Sequence, residues 1–459
     1  MNQNNLKDSH AAQRLLQHVL SVQWDLLPEQ AQEAAKNFLH DTLCVGIAGR
    51  FAPDTERIWK AVQGWTGSSD KCIVLGRPGV TANAPYAAYI NAYQIHSQEF
   101  DCVHEPAVAH PMATIVATLL ADAQRCEPKH AKDFLSALVA GVDVVATLGV
   151  VVTTPLRFFR PATAGIFGSV AALCRMRKVS IDVAMNAFGH ALAYASGTMQ
   201  AHLEGKPTLA LQVAGAARSA IEAMDLAMAG IQAPYMSIDG PFGYLSLFEG
   251  GYELEPSLQA LGKQWRISEL SWKPFPTGRA AHGAIVATQN MMQNNGLTAA
   301  SLVELCYEAP PLIARLVGRR PFRGMGPAHA RLCFAYLGAV TLLRGKVTLF
   351  DFSEDRLSDE ETLKLAEKIM VNANGNPDPA AFVPAILKAT TQQGFFEEKV
   401  SKQFGSPEWP LTKEQHIQKS KECLDFAQQE EIHGNILKMI DAIENFDDVG
   451  SLISESMIP

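Results

Sequence analysis

Between Leu135 and Leu156 the chain runs for 22 residues with a single charged side chain, Asp143, and no other feature constrains the fold as tightly. A helix of that length can cross a bilayer. A carboxylate near its middle would cost about 2.5–3.5 kcal/mol there. The run also stands alone in a chain of 459 residues that is otherwise ordinary for a globular protein, at 47% hydrophobic and 19% charged. The expectation is therefore a helix buried at the centre of a large body, with no membrane partner.

What surrounds it is helix after helix. Periodic apolar patterns cover Glu29–Ile47, Pro85–Ile95, Met112–Ala123, Ala131–Val152, Ala164–Met176, Ser180–Ala195 and Leu211–Ala229. Pro28 suits a first helical turn and Ser180 an N-cap. Many of these helices are rich in Ala and Gly, which lets axes approach closely in a layered all-α body. Near residue 270 the pattern changes. Val303–Tyr307, Lys346–Phe352 and Lys368–Asn372 read as short strands, with helical segments at Ala281–Gln293, Pro327–Leu343 and Asp359–Lys368 between them. After a linker-like Phe404–Pro410, helical periodicity returns at Glu414–Gln429 and Ile432–Phe446. The predicted class is mainly α: a large all-α domain built from both chain ends (1–269 and 409–459) with a smaller α+β lid, 270–408, inserted into it.

Charge and cysteines narrow the function classes. A net charge of −8 gives no overall attraction to nucleic acid, so an anionic substrate would need a local positive field. None of the eight cysteines forms a CxxC pair, and most sit in apolar helical runs, which suits reduced thiols in the cytoplasm. The N-terminal MNQNNLKDSH has neither the basic nor the apolar stretch of a signal peptide.

Four segments could carry chemistry. In His96–Pro111, three histidines (His96, His104, His110) and three carboxylates (Glu99, Asp101, Glu105) fall within fifteen residues. This could be a solvated polar loop, a metal site of non-standard spacing, or an acid/base cluster whose members shift each other's pKa. Arg157 and Arg160 precede a Gly/Ala-rich helix and could grip a carboxylate or form a basic turn. Lys206 sits in a Gly-Lys-Pro turn, pointing into a cleft or simply to solvent. At the 270 boundary lie Lys273, Arg279 and His282, the last two three apart at a helix start. GxGxxG, GxxxxGK[ST] and GxSxG motifs do not occur, so nucleotide, NAD and α/β-hydrolase chemistry have no support.

Taken together with Asn91–His96, Ala214–Gly230 and Ala328–Tyr336, these segments resemble the MmgE/PrpD family over nearly the whole chain. That family includes 2-methylcitrate dehydratase, cis-aconitate decarboxylase and iminodisuccinate epimerase. The resemblance implies the two-domain arrangement above, a homodimer, an active site in the cleft between domains, a small polycarboxylate substrate, and no metal or organic cofactor. His96, Asp101, His110, Lys206 and His282 match the family pattern. Glu99 stands where that pattern has an aspartate, Val103 where it has a threonine, Phe159 where a histidine often precedes the Gly-rich helix, and one extra residue precedes His110.

The resemblance thus implies His110, Lys206, His282, Asp101 and Glu99 as catalytic groups. It leaves His96, His104, Phe159, Arg157, Arg160, Arg279 and Lys273 to bind substrate. The losses at Val103 and Phe159 weigh against decarboxylase and dehydratase activity. They favour an epimerase, which needs only a proton taken from one face and returned to the other. A hydro-lyase of the methylcitrate type and an inactive polycarboxylate-binding protein are the alternatives.

Overall fold

The computed structural model describes residues 11–458 except 66, 68–70, 126 and 379. The N-terminal decapeptide and Cys126 therefore lie outside the described residues. The protein is mainly α. Its first helices are α1 (Ala11–Ser21), α2 (Glu29–Ala48), α3 (Thr55–Gln63), α4 (Ala84–His96), α5 (Pro111–Arg125), α6 (Ala131–Val150), α7 (Arg160–Thr163), α8 (Gly165–Met176), α9 (Ile181–Tyr194), α10 (Gln200–Glu204) and α11 (Thr208–Met228).

The apolar helix α6 is a core helix. It is long and apolar enough to cross a membrane, yet its apolar window is 89% buried within the fold. Its Asp143 is satisfied by the His18 ring, 2.8 Å away, and by the backbone N–H of Arg266 at 2.9 Å. Helices α6 and α8 meet at reciprocal glycines. A Cβ on Gly141 would lie 2.7 Å from the Gly168 carbonyl, and one on Gly168 would lie 2.8 Å from the Gly141 carbonyl. Small residues thus set the close approach that the composition suggested.

The chain leaves this body near Trp272 and builds a second hydrophobic core from residues between Phe275 and Val400. A two-residue ladder in the first body pairs β1 (Cys72–Ile73) with β2 (Thr81–Ala82). The second core lies on a four-stranded sheet of β3 (Leu302–Ala309), β4 (Ile369–Ala373), β5 (Ala385–Thr391) and β6 (Gly394–Val400), in the order β4-β3-β5-β6. Only β3–β4 is parallel. The helices His282–Asn295 and Phe334–Arg344 pack on it.

Two expectations need correction here, and one element was not expected. Lys346–Phe352 is not a strand: Thr348 and Asp351 form a capping box that winds Leu349–Phe352 into a 3-10 turn. The helix expected over Pro327–Leu343 is split, into Pro327–Ala330 and Phe334–Arg344. The hairpin β5–β6 went unread, because Ala385–Val400 mixes apolar, polar and charged residues without a clean alternation.

The C-terminal helices Lys413–Phe426 and His433–Ala442 return to α2. There Lys419 forms a buried ion pair with Asp41 at 2.7 Å, and the His416 and His40 rings are 3.0 Å apart. Both chain ends thus contribute to one helical body, and the second core sits against it.

Candidate active site

The site is built on the break between α4 and α5. His96 is the last residue of α4, and Pro111 opens α5 directly after His110. Between them the chain reverses twice. Glu99 takes a left-handed backbone (φ 51°) that lets its N–H reach the His96 carbonyl at 3.1 Å. Val108 is also left-handed (φ 47°), closing a tight turn in which His104 and Ala109 exchange backbone hydrogen bonds. A β-branched residue in that conformation is strained, and such strain persists where the surroundings enforce it.

These reversals place His96 and His110 on one carboxylate. Both Nδ1 atoms reach Asp101 Oδ2, at 3.0 and 3.2 Å, with the rings 4.9 Å apart and nearly perpendicular. Asp101 is fully buried. Burial alone would raise its pKa, but the two imidazoles hold it well below the usual carboxylate range. As an anion it fixes Nδ1 of each ring as donor and leaves each Nε2 for the cleft.

The two histidines part in opposite directions. For His96, burial would depress the pKa, but the charge and hydrogen bond of Asp101, with help from Glu99, outweigh it and the net shift is upward. For His110, burial dominates. Asp101 only partly offsets it, Lys273 and His96 add to it, and the shift is downward. The two imidazoles are thus pushed in opposite directions, His96 toward the protonated form and His110 toward the neutral one, the division an acid/base pair needs. His96 Nε2 is buried and has no hydrogen-bond partner among the described residues.

Glu99 is held ionised, its pKa lowered to about 2. Burial opposes this, but Lys273, 2.8 Å away and completely buried, with His96 and His110, outweighs it.

His96, Glu99, Leu209 and Leu332 lie on the boundary of two adjoining chambers in the cleft between the cores. The outer chamber has Lys206, exposed, on its wall. The inner chamber holds His110, Val103, Phe159 and Arg279. Phe159 packs against His96 with ring centroids 5.8 Å apart.

Several expected residues do other work. His282 is fully buried behind the wall. Its Nδ1 is 3.2 Å from Arg279 Nη1, and burial, Arg279 and Lys273 push its pKa well down. His104 is structural, with Nε2 on Glu269 at 2.8 Å and Nδ1 accepting from the Ala107 N–H. Arg160 is also structural, its fork spent on Glu249 at 2.9 and 3.1 Å. Arg157 is exposed and off both chambers. Arg279 reaches the inner chamber, but Nε bonds Glu105 at 2.7 Å and its other donors serve the carbonyls of Trp272, Gln403 and Phe404. Lys273 serves Glu99 rather than the cavity.

Sequence reasoning missed two groups. His202, on α10, lines the inner chamber with Nε2 buried and unpartnered; burial, then Arg319, lowers its pKa to about 4. Arg319 donates to the His202 carbonyl at 2.9 Å, and its Nη1 is buried without a partner. A histidine four residues before Lys206 was the available signal for the first. The second had none in its local sequence.

His96, Asp101 and His110 also hold their ligand-type atoms within 4.8 Å of one another, a spacing a metal ion could use. With Asp101 anionic and both Nδ1 atoms turned to it, the hydrogen-bonded triad accounts for these atoms without one.

Models of the MmgE/PrpD N-terminal and C-terminal domains match residues 13–257 and 275–444. The chain belongs to the MmgE/PrpD family. It is an enzyme of that family, and three similar curated proteins are each 27% identical to it. Human cis-aconitate decarboxylase aligns over 75% of this chain and 72% of its own length. The mouse enzyme of the same name aligns over 83% and 80%. A cis-aconitate decarboxylase-like protein of Aspergillus oryzae aligns over 74% and 75%. These relatives support lyase-type chemistry and do not bear on the epimerase expectation.

Proposed function

We propose that this MmgE/PrpD protein is a lyase acting on a small di- or tricarboxylic acid, by proton transfer at a carbon next to a carboxylate. The observation that carries the reading is the single Asp101 oxygen shared by two imidazoles whose surroundings push them in opposite directions. In a dehydration His110 removes a proton from the substrate, whereas in a decarboxylation the broken C–CO2 bond supplies the electron pair and no base is needed. His96 delivers a proton, to a departing hydroxyl in a dehydration or to the carbon that keeps the electron pair when CO2 leaves. Lys206, on the wall of the outer chamber, is a cation available for substrate carboxylates. Among lyases, decarboxylation of the cis-aconitate type is favoured by the names of the relatives and asks least of the site, a single proton donor.

An epimerase is the second reading, and His202 favours it. His96 and His110 stand side by side and would address one face of a substrate, so inversion needs a group from another element. His202, neutral and unpartnered on α10, is that group.

Proton NMR in D2O, with cis-aconitate, citrate, 2-methylcitrate and the iminodisuccinate stereoisomers, separates the readings. Loss of a carboxyl group or a new alkene supports the lyase. Deuterium entering an α-position with inverted stereochemistry and no new alkene would replace it with the epimerase.

A further inference from the structure

The inner chamber is built for hydrocarbon, whereas the substrate class proposed above is rich in charge. Leu156, Phe159, Met199, Leu316 and Phe382 line it together with Val103. The ionised groups on its wall are already matched: Glu99 by Lys273 and Arg279 by Glu105. His110 and His202 are held toward the neutral form. A second or third substrate carboxylate placed here would be desolvated without a free cation to face, which is costly. The exposed cation, Lys206, lies in the outer chamber on the far side of His96 and Glu99. A compact tricarboxylate would fill one chamber and leave the other empty of suitable partners.

We propose that the substrate carries an alkyl or aryl branch that enters the inner chamber, while its carboxylates stay on the Lys206 side. The reacting carbon then sits between the chambers, beside His96 and His110, which both border the inner one. This rests on the cleft being the site of the lyase reaction, but it concerns the shape of the ligand rather than the reaction. Phe159 has two roles in it. It packs on His96, and it presents a flat apolar wall to the branch.

The test is a binding series on the purified wild-type protein, using succinate and its 2-methyl, 2-propyl and 2-pentyl derivatives in calorimetry. The same series of branches on cis-aconitate is assayed for turnover. Burial of each added methylene is expected to lower Kd about fourfold, and kcat/KM should rise in parallel. Leu316→Asp places a charge on the partly exposed chamber wall and should abolish the chain-length dependence while succinate still binds. Phe159→His should weaken the dependence in the same direction. Affinity and kcat/KM that stay flat or fall with chain length, with unsubstituted cis-aconitate the best substrate, would overturn this inference and leave the lyase reading intact. Affinity that rises with chain length while no analogue turns over would uphold the chamber and overturn the reaction. Neither binding nor turnover across the series would overturn both.

Discussion

Glu99 and Lys273 form a 2.8 Å ion pair at the edge of the cleft, with the ammonium fully buried and the carboxylate on a strained left-handed turn. One residue belongs to the loop after α4, the other to the segment where the chain passes into the second core. The pair therefore ties the acid/base loop to the start of the second core.

Breaking this pair from one side leaves a buried charge without its partner. Lys273→Met is expected to cost about 3–5 kcal/mol of stability. Glu99→Gln combined with Lys273→Met should cost less than Lys273→Met alone, because the double variant buries no charge. Urea denaturation of Lys273→Met, Glu99→Gln and the double variant checks this. A single variant as stable as wild type would mean that the pair is solvated.

The opposite shifts of His96 and His110 set the pH dependence of turnover. His110 must be neutral, so kcat/KM rises with pH through a limb below 6.5, the unperturbed value for histidine. His96 must be protonated, so kcat/KM falls with pH through a limb above 6.5. The profile should be a broad bell spanning 6.5. Asp101→Asn removes the influence that raises both values. Both limbs should then move to lower pH, and kcat should drop by about 10³-fold or more, as when other triads lose their orienting carboxylate. A profile that rises to a plateau without an alkaline limb would remove His96 from its role.

The sequence made the helical body legible because its signal is local: apolar periodicity, Ser180 as a cap, glycines at crossings. It also brought out the loop that holds Asp101. What it could not show was where hydrogen-bond capacity goes. Arg160 and His104 look like ligand-binding groups until Glu249 and Glu269, 89 and 165 residues away in sequence, are seen to occupy them. His282 is read as a catalytic base until its burial behind Arg279 is seen. Glu99 and Lys273 were both named, but as separate residues with separate duties. Pairing over such distances is a property of the fold, and a motif carries no trace of it.

Arginine variants separate these roles. Arg157→Ala should leave kcat/KM within about twofold of wild type, since the side chain is exposed and away from the cavity. Arg160→Ala should lower the urea midpoint strongly, because Glu249 is left buried without its bidentate partner. If Arg157→Ala raises KM tenfold while Arg160→Ala is as stable as wild type, substrate carboxylates are held as the sequence alone suggested.

Chelation addresses the alternative use of the triad. Both Nδ1 atoms are engaged by Asp101, so dialysis against EDTA is expected to leave kcat unchanged. Loss of activity that one divalent ion restores would assign His96, Asp101 and His110 to a metal instead.

The most direct test of the account is a titration of His96 and His110 by carbon-13 NMR of selectively labelled imidazoles, assigned with His96→Gln and His110→Gln variants. The account predicts one resonance titrating above 6.5 and the other below, with both moving to lower pH in Asp101→Asn. Two histidines titrating together on the same side of 6.5 would mean that the shared carboxylate does not divide them into an acid and a base, and the proposed proton transfer would fail with it.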